Sequence, residues 1–330
     1  MEKINVTTSR MGRSWNSYIA SIYGILSSCG LWKEELWMLM GMTGMGFHFI
    51  VNDKTCPSST TVYDWSDEHF QMMDRIGVDN DVFTLWIDPK LCTFRHVQNR
   101  AIARIKESIE KGFGVSVWAP TTLLEFGIIS GFDEEEKVFF VQDCVNDETK
   151  PLLFSNLGFS EVPFLSYQII YGKQEVELER IIRSSLTFGV TEWKSEFLIN
   201  PHYARGKKAY EFLLHALEKK EYDYFGLSYL ISVYDDSKTC LATYLKWISE
   251  TIKEMSGIEE AGTLISQVSH LFHQLKKLVP FYPPDKIAKK ITTAENLNDI
   301  IRQDLVGLIT ECKELENHAM KVIEKNLKYY

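Results

Sequence analysis

The sequence predicts an α+β domain, a helix packed on an antiparallel sheet, followed by an all-α helical domain. Three observations carry this. Short β-type runs cluster between residues 114 and 171, with a polar loop joining the best pair. Helical periodicity precedes that cluster instead of alternating with it, and from Ala204 onward almost every segment repeats at helical spacing. The expected boundaries are residues 1–190 for the α+β domain and 200–330 for the helical bundle.

Taken in order, Ile19, Ile22, Tyr23, Ile25 and Leu26 recur at helical spacing between Trp15 and Cys29, and Gly30 stops the run. Leu31 to Met40 reads as a short helix ended by Gly41, and Phe47 to Val51 as a compact strand. Asp64 to Ile76 is predicted helical, with Ser66 as its cap and Asp67 and Glu68 in the first turn, where the dipole favours anions. Val82 to Ile87 is a strand, and Thr93 to Lys111 an amphipathic helix with Val97, Ile102, Ile105 and Ile109 as its stripe. The β cluster follows: Gly114–Trp118, Leu124–Phe132, Val138–Val141 and Phe164–Tyr171, with Asp133 to Lys137 as a hairpin loop. The bundle reads as helices over Gly206–Lys219, Tyr222–Tyr234, Ser237–Met255, Ile258–Leu278 and Ala294–Lys328, with breaks at Asp235-Asp236, Gly257 and Pro280 to Pro284.

Of the 330 residues, 45% are hydrophobic and 25% charged, which is globular composition. Thirty-six basic against 45 acidic side chains leave a net charge of −9, which argues against a nucleic-acid partner. The longest charge block runs from Asp133 to Glu136, so there is no polybasic membrane patch. Leu36 to Val51, the most apolar segment, falls short of the roughly 20 residues of a membrane span. The N-terminus lacks signal-peptide character, and the six cysteines are scattered with no CxxC. A cytoplasmic protein without metal or cofactor is the expectation.

Single motifs carry little. Gly41-Met-Thr-Gly44-Met-Gly46 runs from helix into strand, whereas a dinucleotide site needs strand, glycines, then helix. No GxSxG, HExxH or Walker sequence occurs. A longer-range ordering does point to chemistry. A helix begins near Trp15-Asn16-Ser17, a strand opens at Glu125, and the next strand ends at Gln142-Asp143. In a papain-like hydrolase a nucleophile at a helix start uses the dipole, a base lies at the beginning of a strand, and a polar orienter sits on the neighbouring strand.

The stretch Gly30-Leu-Trp-Lys-Glu-Glu-Leu-Trp-Met-Leu-Met-Gly-Met-Thr-Gly-Met-Gly-Phe47 resembles the early segment of the family named for the butirosin-biosynthesis acyltransferase, protein H. Glu125 to Asp133 and Val141 to Asp143 resemble that family's "His-x-x-x-x-x-Gly-Tyr-Asp … Asp" hairpin. The resemblance spans roughly residues 10 to 175. It implies a papain-like domain related to bacteriocin-processing cysteine peptidases, and acyl transfer through a cysteine. At the decisive positions this chain differs. The nucleophile position falls at or beside Ser17, the base position is Glu125 and the orienter Asp143; Cys29 lies at the wrong end of its helix.

An unperturbed glutamate is a weak base for a serine hydroxyl. Two functions therefore compete. One is a pseudoenzyme whose cleft binds an acyl group, peptide or small metabolite; the other is an acyltransferase or amide hydrolase using Ser17, Glu125 and Asp143. Trp15, Asn16 and Trp118 are candidate wall and binding residues, since tryptophan walls suit apolar or acyl groups. His48 and Cys56 form a second candidate thiol site, against the alternatives of a core histidine and a loop cysteine. Glu125 has its own alternative as a charge at a strand edge. The helical half offers a further expectation, a homodimer interface.

Overall fold

The computed structural model describes residues 4–88, 92–145, 148–195, 200–282 and 297–328. In chain order its elements are β1 (Ile4–Val6), α1 (Ser17–Ser28), α2 (Leu36–Met42), β2 (Ile50–Asn52), α3 (Trp65–Arg75), β3 (Val78–Trp86) and α4 (Phe94–Glu110). There follow β4 (Val115–Trp118), β5 (Phe126–Asp133), β6 (Val138–Gln142), β7 (Lys150–Leu153) and β8 (Phe164–Lys173). The remainder is α5 (Leu178–Lys194), β9 (Tyr203–Arg205), α6 (Lys207–Lys219), α7 (Tyr224–Thr251), α8 (Glu259–Leu278) and α9 (Asp299–Lys328). The protein is α+β, with an antiparallel sheet and helices in its N-terminal region and helices in its C-terminal region. No described helix is long and apolar enough to cross a membrane.

The chain divides into two compact units, and not at the expected 1–190 and 200–330 boundaries. Unit 1 is residues 1–39 and 64–176; unit 2 is residues 40–63 and 177–330. The apolar run around Phe49 explains the excursion of residues 40–63. Phe49 is buried, with its ring 4.3 Å from Tyr210 and 4.6 Å from Tyr234, both residues of unit 2. Its strand, β2, pairs with β9.

In unit 1 the sheet order is β3-β8-β4-β5-β6-β7, with β1 also paired to β5, and every pairing is antiparallel. Period-two alternation divides its faces. Ser116, Ile128 and Gln168 face α1: Ser21 Oγ lies 2.7 Å from Ser116 Oγ, and the Tyr18 hydroxyl donates to Gln168 Oε1 at 3.0 Å. Val115, Val117, Ile129, Tyr167 and Ile169 face the other way and form one core with Ala101, Ile105 and Ile109 of α4. Both faces of β5 are covered, which is why its residues are almost all buried. The cap of α3 is Asp64, whose carboxylate accepts from the Ser66 and Asp67 N–H groups, and not Ser66 as expected.

At the β5–β6 turn, hydrogen bonds from Lys106 and Lys137 hold the Glu134 carboxyl down at about 2. A lowered carboxyl stabilises the fold above its ordinary value of 4.5, and that stabilisation is lost as the pH falls through about 2. Glu134→Gln should thus be the less stable protein at neutral pH, by at most about 1 kcal/mol for a partly exposed pair. In urea titrations the gap should close towards about pH 2; a pH-independent gap would contradict the assignment.

In unit 2, α7 packs on α8, and α9 packs against α5, α6 and α8. The expected break at Asp235-Asp236 is absent, because α7 runs through it unbroken. Asp235 is buried, and its carboxylate is held by Lys276 Nζ at 2.8 Å and faces His273 Nδ1 at 3.3 Å, both from α8. An aspartate so paired has no cause to leave the helix. Nor does Gly41 end its helix, which continues to Met42; a Cβ at Gly41 would lie 2.2 Å from the Tyr244 ring. The helix α5 was not expected from the sequence. Pro283, Pro284 and the first residues of the helix expected from Ala294 lie outside the described residues.

Candidate ligand site in unit 1

Asn16 begins the site. Its side-chain oxygen accepts from the Ile19 N–H at 3.0 Å, which caps α1 and makes Ser17 the first helical residue. Asn16 thus serves as the cap of α1.

Ser17 is buried, and its hydroxyl donates to Glu125 Oε2 at 2.6 Å. Ser17 Oγ in turn accepts from the Phe126 N–H at 3.1 Å. Helix start and strand start are therefore tied twice through one side chain.

Glu125 stands one residue before β5. Its carbonyl accepts from the Ala119 N–H at 2.8 Å and closes the β4–β5 loop. Ala119 adopts a left-handed φ of 46°, a conformation that disfavours residues carrying a Cβ. Beside this loop a Cβ at Gly127 would sit 2.2 Å from the Gln142 carbonyl oxygen and 2.6 Å from Pro120 Cγ, so this strand position requires glycine.

Asp143 directly follows β6 and is buried. Its Oδ2 accepts from Thr121 Oγ1 and Lys150 Nζ, each at 3.1 Å, and its Oδ1 from the Val145 N–H at 3.0 Å. The neighbouring thiol, Cys144, is pushed up to about 12, chiefly by burial and then by the carboxylates of Glu125 and Asp143. Both carboxylates act on one thiol and keep it protonated. Burial likewise raises Cys29 at the far end of α1.

Aromatic rings adjoin the pair through Phe126. Trp118, at the end of β4, is paired in register with Phe126, with ring centroids 5.1 Å apart. Trp65 lies 4.8 Å from both rings. Trp15 is half-buried, one residue before the cap.

His48 and Cys56 belong to unit 2. Buried His48 places Nδ1 3.5 Å from Glu192 Oε2, between the rings of Tyr63 and Phe188. Cys56 Sγ lies 3.0 Å from Ser58 Oγ, which lies 2.8 Å from the Tyr203 hydroxyl. Among the described residues no group of three or more His, Cys, Asp or Glu could hold a metal ion.

Sequence reasoning missed Thr121, Lys150 and Cys144 as members of the unit 1 site. Cys144 was within reach, since it adjoins Asp143; Lys150 has no local signal, because a strand pairing brings it in. No family model and no curated protein sequence matches the chain.

Proposed function

We propose that unit 1 is a ligand-binding module on a papain-like framework, descended from an acyl-transfer site and binding an acyl group, peptide or small metabolite without turnover. One observation carries the reading: the Ser17 hydroxyl donates a hydrogen bond to Glu125 Oε2 at 2.6 Å and accepts one from the Phe126 N–H at 3.1 Å. A carboxylate is a poor base for an aliphatic hydroxyl, and an oxygen already accepting a hydrogen bond is a weakened nucleophile. The thiol in the same field, Cys144, is held protonated. A Ser–Glu pair of this kind serves better as a fixed polar floor for a ligand than as an attacking group.

The test uses butyryl and octanoyl N-acetylcysteamine thioesters as probes. Wild type should gain no acyl mass on incubation, yet melt at higher temperature with the thioester present. The stabilisation should disappear in Glu125→Gln. Ser17→Ala leaves the Phe126 N–H without its acceptor, at a cost of about 1–3 kcal/mol, so its unliganded melting temperature serves as the reference. An acyl mass gain in wild type that Ser17→Ala abolishes would establish acyl transfer and refute the binding reading.

A further inference from the structure

The sheet of unit 1 has two edges, and they are unlike. At one, β7 spans 4 residues and carries Lys150 and Pro151, both of which deter a further strand. At the other, β3 spans 9 residues and pairs only with β8 among the described residues. The N-terminal half of β3 is blunted by Asp79, Asp81 and a bulge between Asp79 and Asn80. Its C-terminal half, Val82-Phe-Thr-Leu-Trp86, has no charge, proline or glycine, and Trp86 is 67% exposed.

The register fixes which backbone groups face outward. The Ile87 N–H donates to the Pro163 carbonyl opposite it at 2.9 Å. Bonded and non-bonded pairs alternate along an antiparallel ladder. Leu85, Phe83 and Asp81 therefore bond β8, opposite Leu165, Tyr167 and Ile169. Val82, Thr84 and Trp86 turn their N–H and C=O groups away from β8, to a side where no described strand lies. An edge with open groups and β-prone side chains is a template for another strand.

The residues along this edge match a second copy of themselves. A two-fold axis sets an edge strand antiparallel to its own copy. With the axis at Thr84, the uncharged segment Val82–Trp86 lies wholly against its counterpart. Val82 then bonds the partner's Trp86 and Thr84 the partner's Thr84, so each outward group of the segment finds a mate. Phe83 meets the partner's Leu85 on the opposite face. Aromatic–β-branched and Thr–Thr pairs of this kind are favourable. Asp81 falls opposite the partner's Ile87, clear of the other Asp81. An axis at Val82 would instead make the two Asp81 carboxylates diagonal neighbours on one face, roughly 7–8 Å apart.

We infer that β3 is a homodimer interface, at which the Val82–Trp86 edges of two copies pair antiparallel about a two-fold axis through Thr84 and join their sheets.

Sedimentation velocity of the full chain, from micromolar to near-millimolar concentration, should show monomer giving way to dimer, because so short a pairing lies at the weak end of protein interfaces. Thr84→Pro removes one bridging N–H from each copy and no bond to β8. It should weaken the dimer at least about tenfold while leaving the melting temperature of dilute protein unchanged. Trp86→Lys, at an exposed position, should weaken the dimer likewise and covers the case of a proline variant that folds poorly. Thr84→Cys should cross-link into a dimer in glutathione buffer, since bonded cross-strand Cα atoms lie about 5.5 Å apart, within disulfide reach. Val82→Cys, whose mate is Trp86 and not its own counterpart, should cross-link no more than wild type.

A monomer at every concentration overturns the inference and leaves the edge to a strand from another protein. A dimer indifferent to both Thr84→Pro and Trp86→Lys overturns it too, since its interface then lies elsewhere. Cross-linking of Val82→Cys in place of Thr84→Cys would refute the axis. The ligand reading of unit 1 stands or falls separately, on the thioester response.

Discussion

Glu316→Ala should lower the stability of unit 2 by about 3–5 kcal/mol, a large fraction of what holds an ordinary domain folded. Glu316 and Lys238 are 1% and 0% exposed. Lys238 Nζ donates to Glu316 Oε1 at 2.5 Å, and the Tyr210 hydroxyl donates to Oε2 at 2.7 Å. The ammonium also lies 5.2 Å from the centre of the Phe49 ring. Removing the carboxylate strands a buried cation and a phenol together, and a ring face offsets little of that. The triple change Tyr210→Phe, Lys238→Met and Glu316→Leu removes every polar group of the network, and should fall within about 1 kcal/mol of wild type or exceed it. Urea unfolding followed by far-ultraviolet circular dichroism measures both. Equal losses in the single and triple variants would mean that packing volume, not unpaired charge, sets the cost. Because α6, α7 and α9 each contribute one member, the network also defines which faces of these helices meet.

The second large effect is expected at Gly127. A Cβ there would meet the Gln142 carbonyl oxygen at 2.2 Å, a backbone atom that cannot turn aside. Gly127→Ala should cost about 2–3 kcal/mol, because β5 or β6 must shift to admit the methyl group. The displacement starts two residues from Glu125 and one from Phe126, the two groups bonded to the Ser17 hydroxyl. Thioester-induced stabilisation should therefore be lost in this variant even where it remains folded. Gly172→Ala in β8, where an added Cβ meets nothing within 4 Å, is the control and should change stability by less than about 0.5 kcal/mol. A Gly127→Ala protein as stable and as responsive as Gly172→Ala would show that the strand pair accommodates the group.

Much of this protein is local in origin and legible as such. The repeat of Ile19, Ile22, Ile25 and Leu26 marks α1 because one face of a helix must be apolar to sit on a sheet, and all four are fully buried. The run from Phe126 to Gln142 with its charged turn reads as a hairpin because alternation and turn chemistry are properties of neighbours. The ordering of Ser17, Glu125 and Asp143 was also visible, since a helix start and two strand ends can be located without their contacts. The Ser17–Glu125 contact itself, at 2.6 Å, belongs to the folded chain.

Other features depend on partners distant in sequence. Asp235-Asp236 looks like a helix break until Lys276 from α8 neutralises Asp235, and then the helix continues. Gly41 looks like a stop signal until Tyr244, 203 positions later in the sequence, needs the space that a side chain would fill. The excursion of residues 40–63 into unit 2 follows from ring contacts of Phe49 with Tyr210 and Tyr234. Composition, periodicity and turn residues thus determined the class of the fold and the position of many of its helices and strands, though not of α5, because those depend on a residue and its near neighbours. Tertiary structure alone decided which unit each segment joined and which charges were neutralised. Those outcomes depend on burial and distance, and no one-dimensional pattern encodes either.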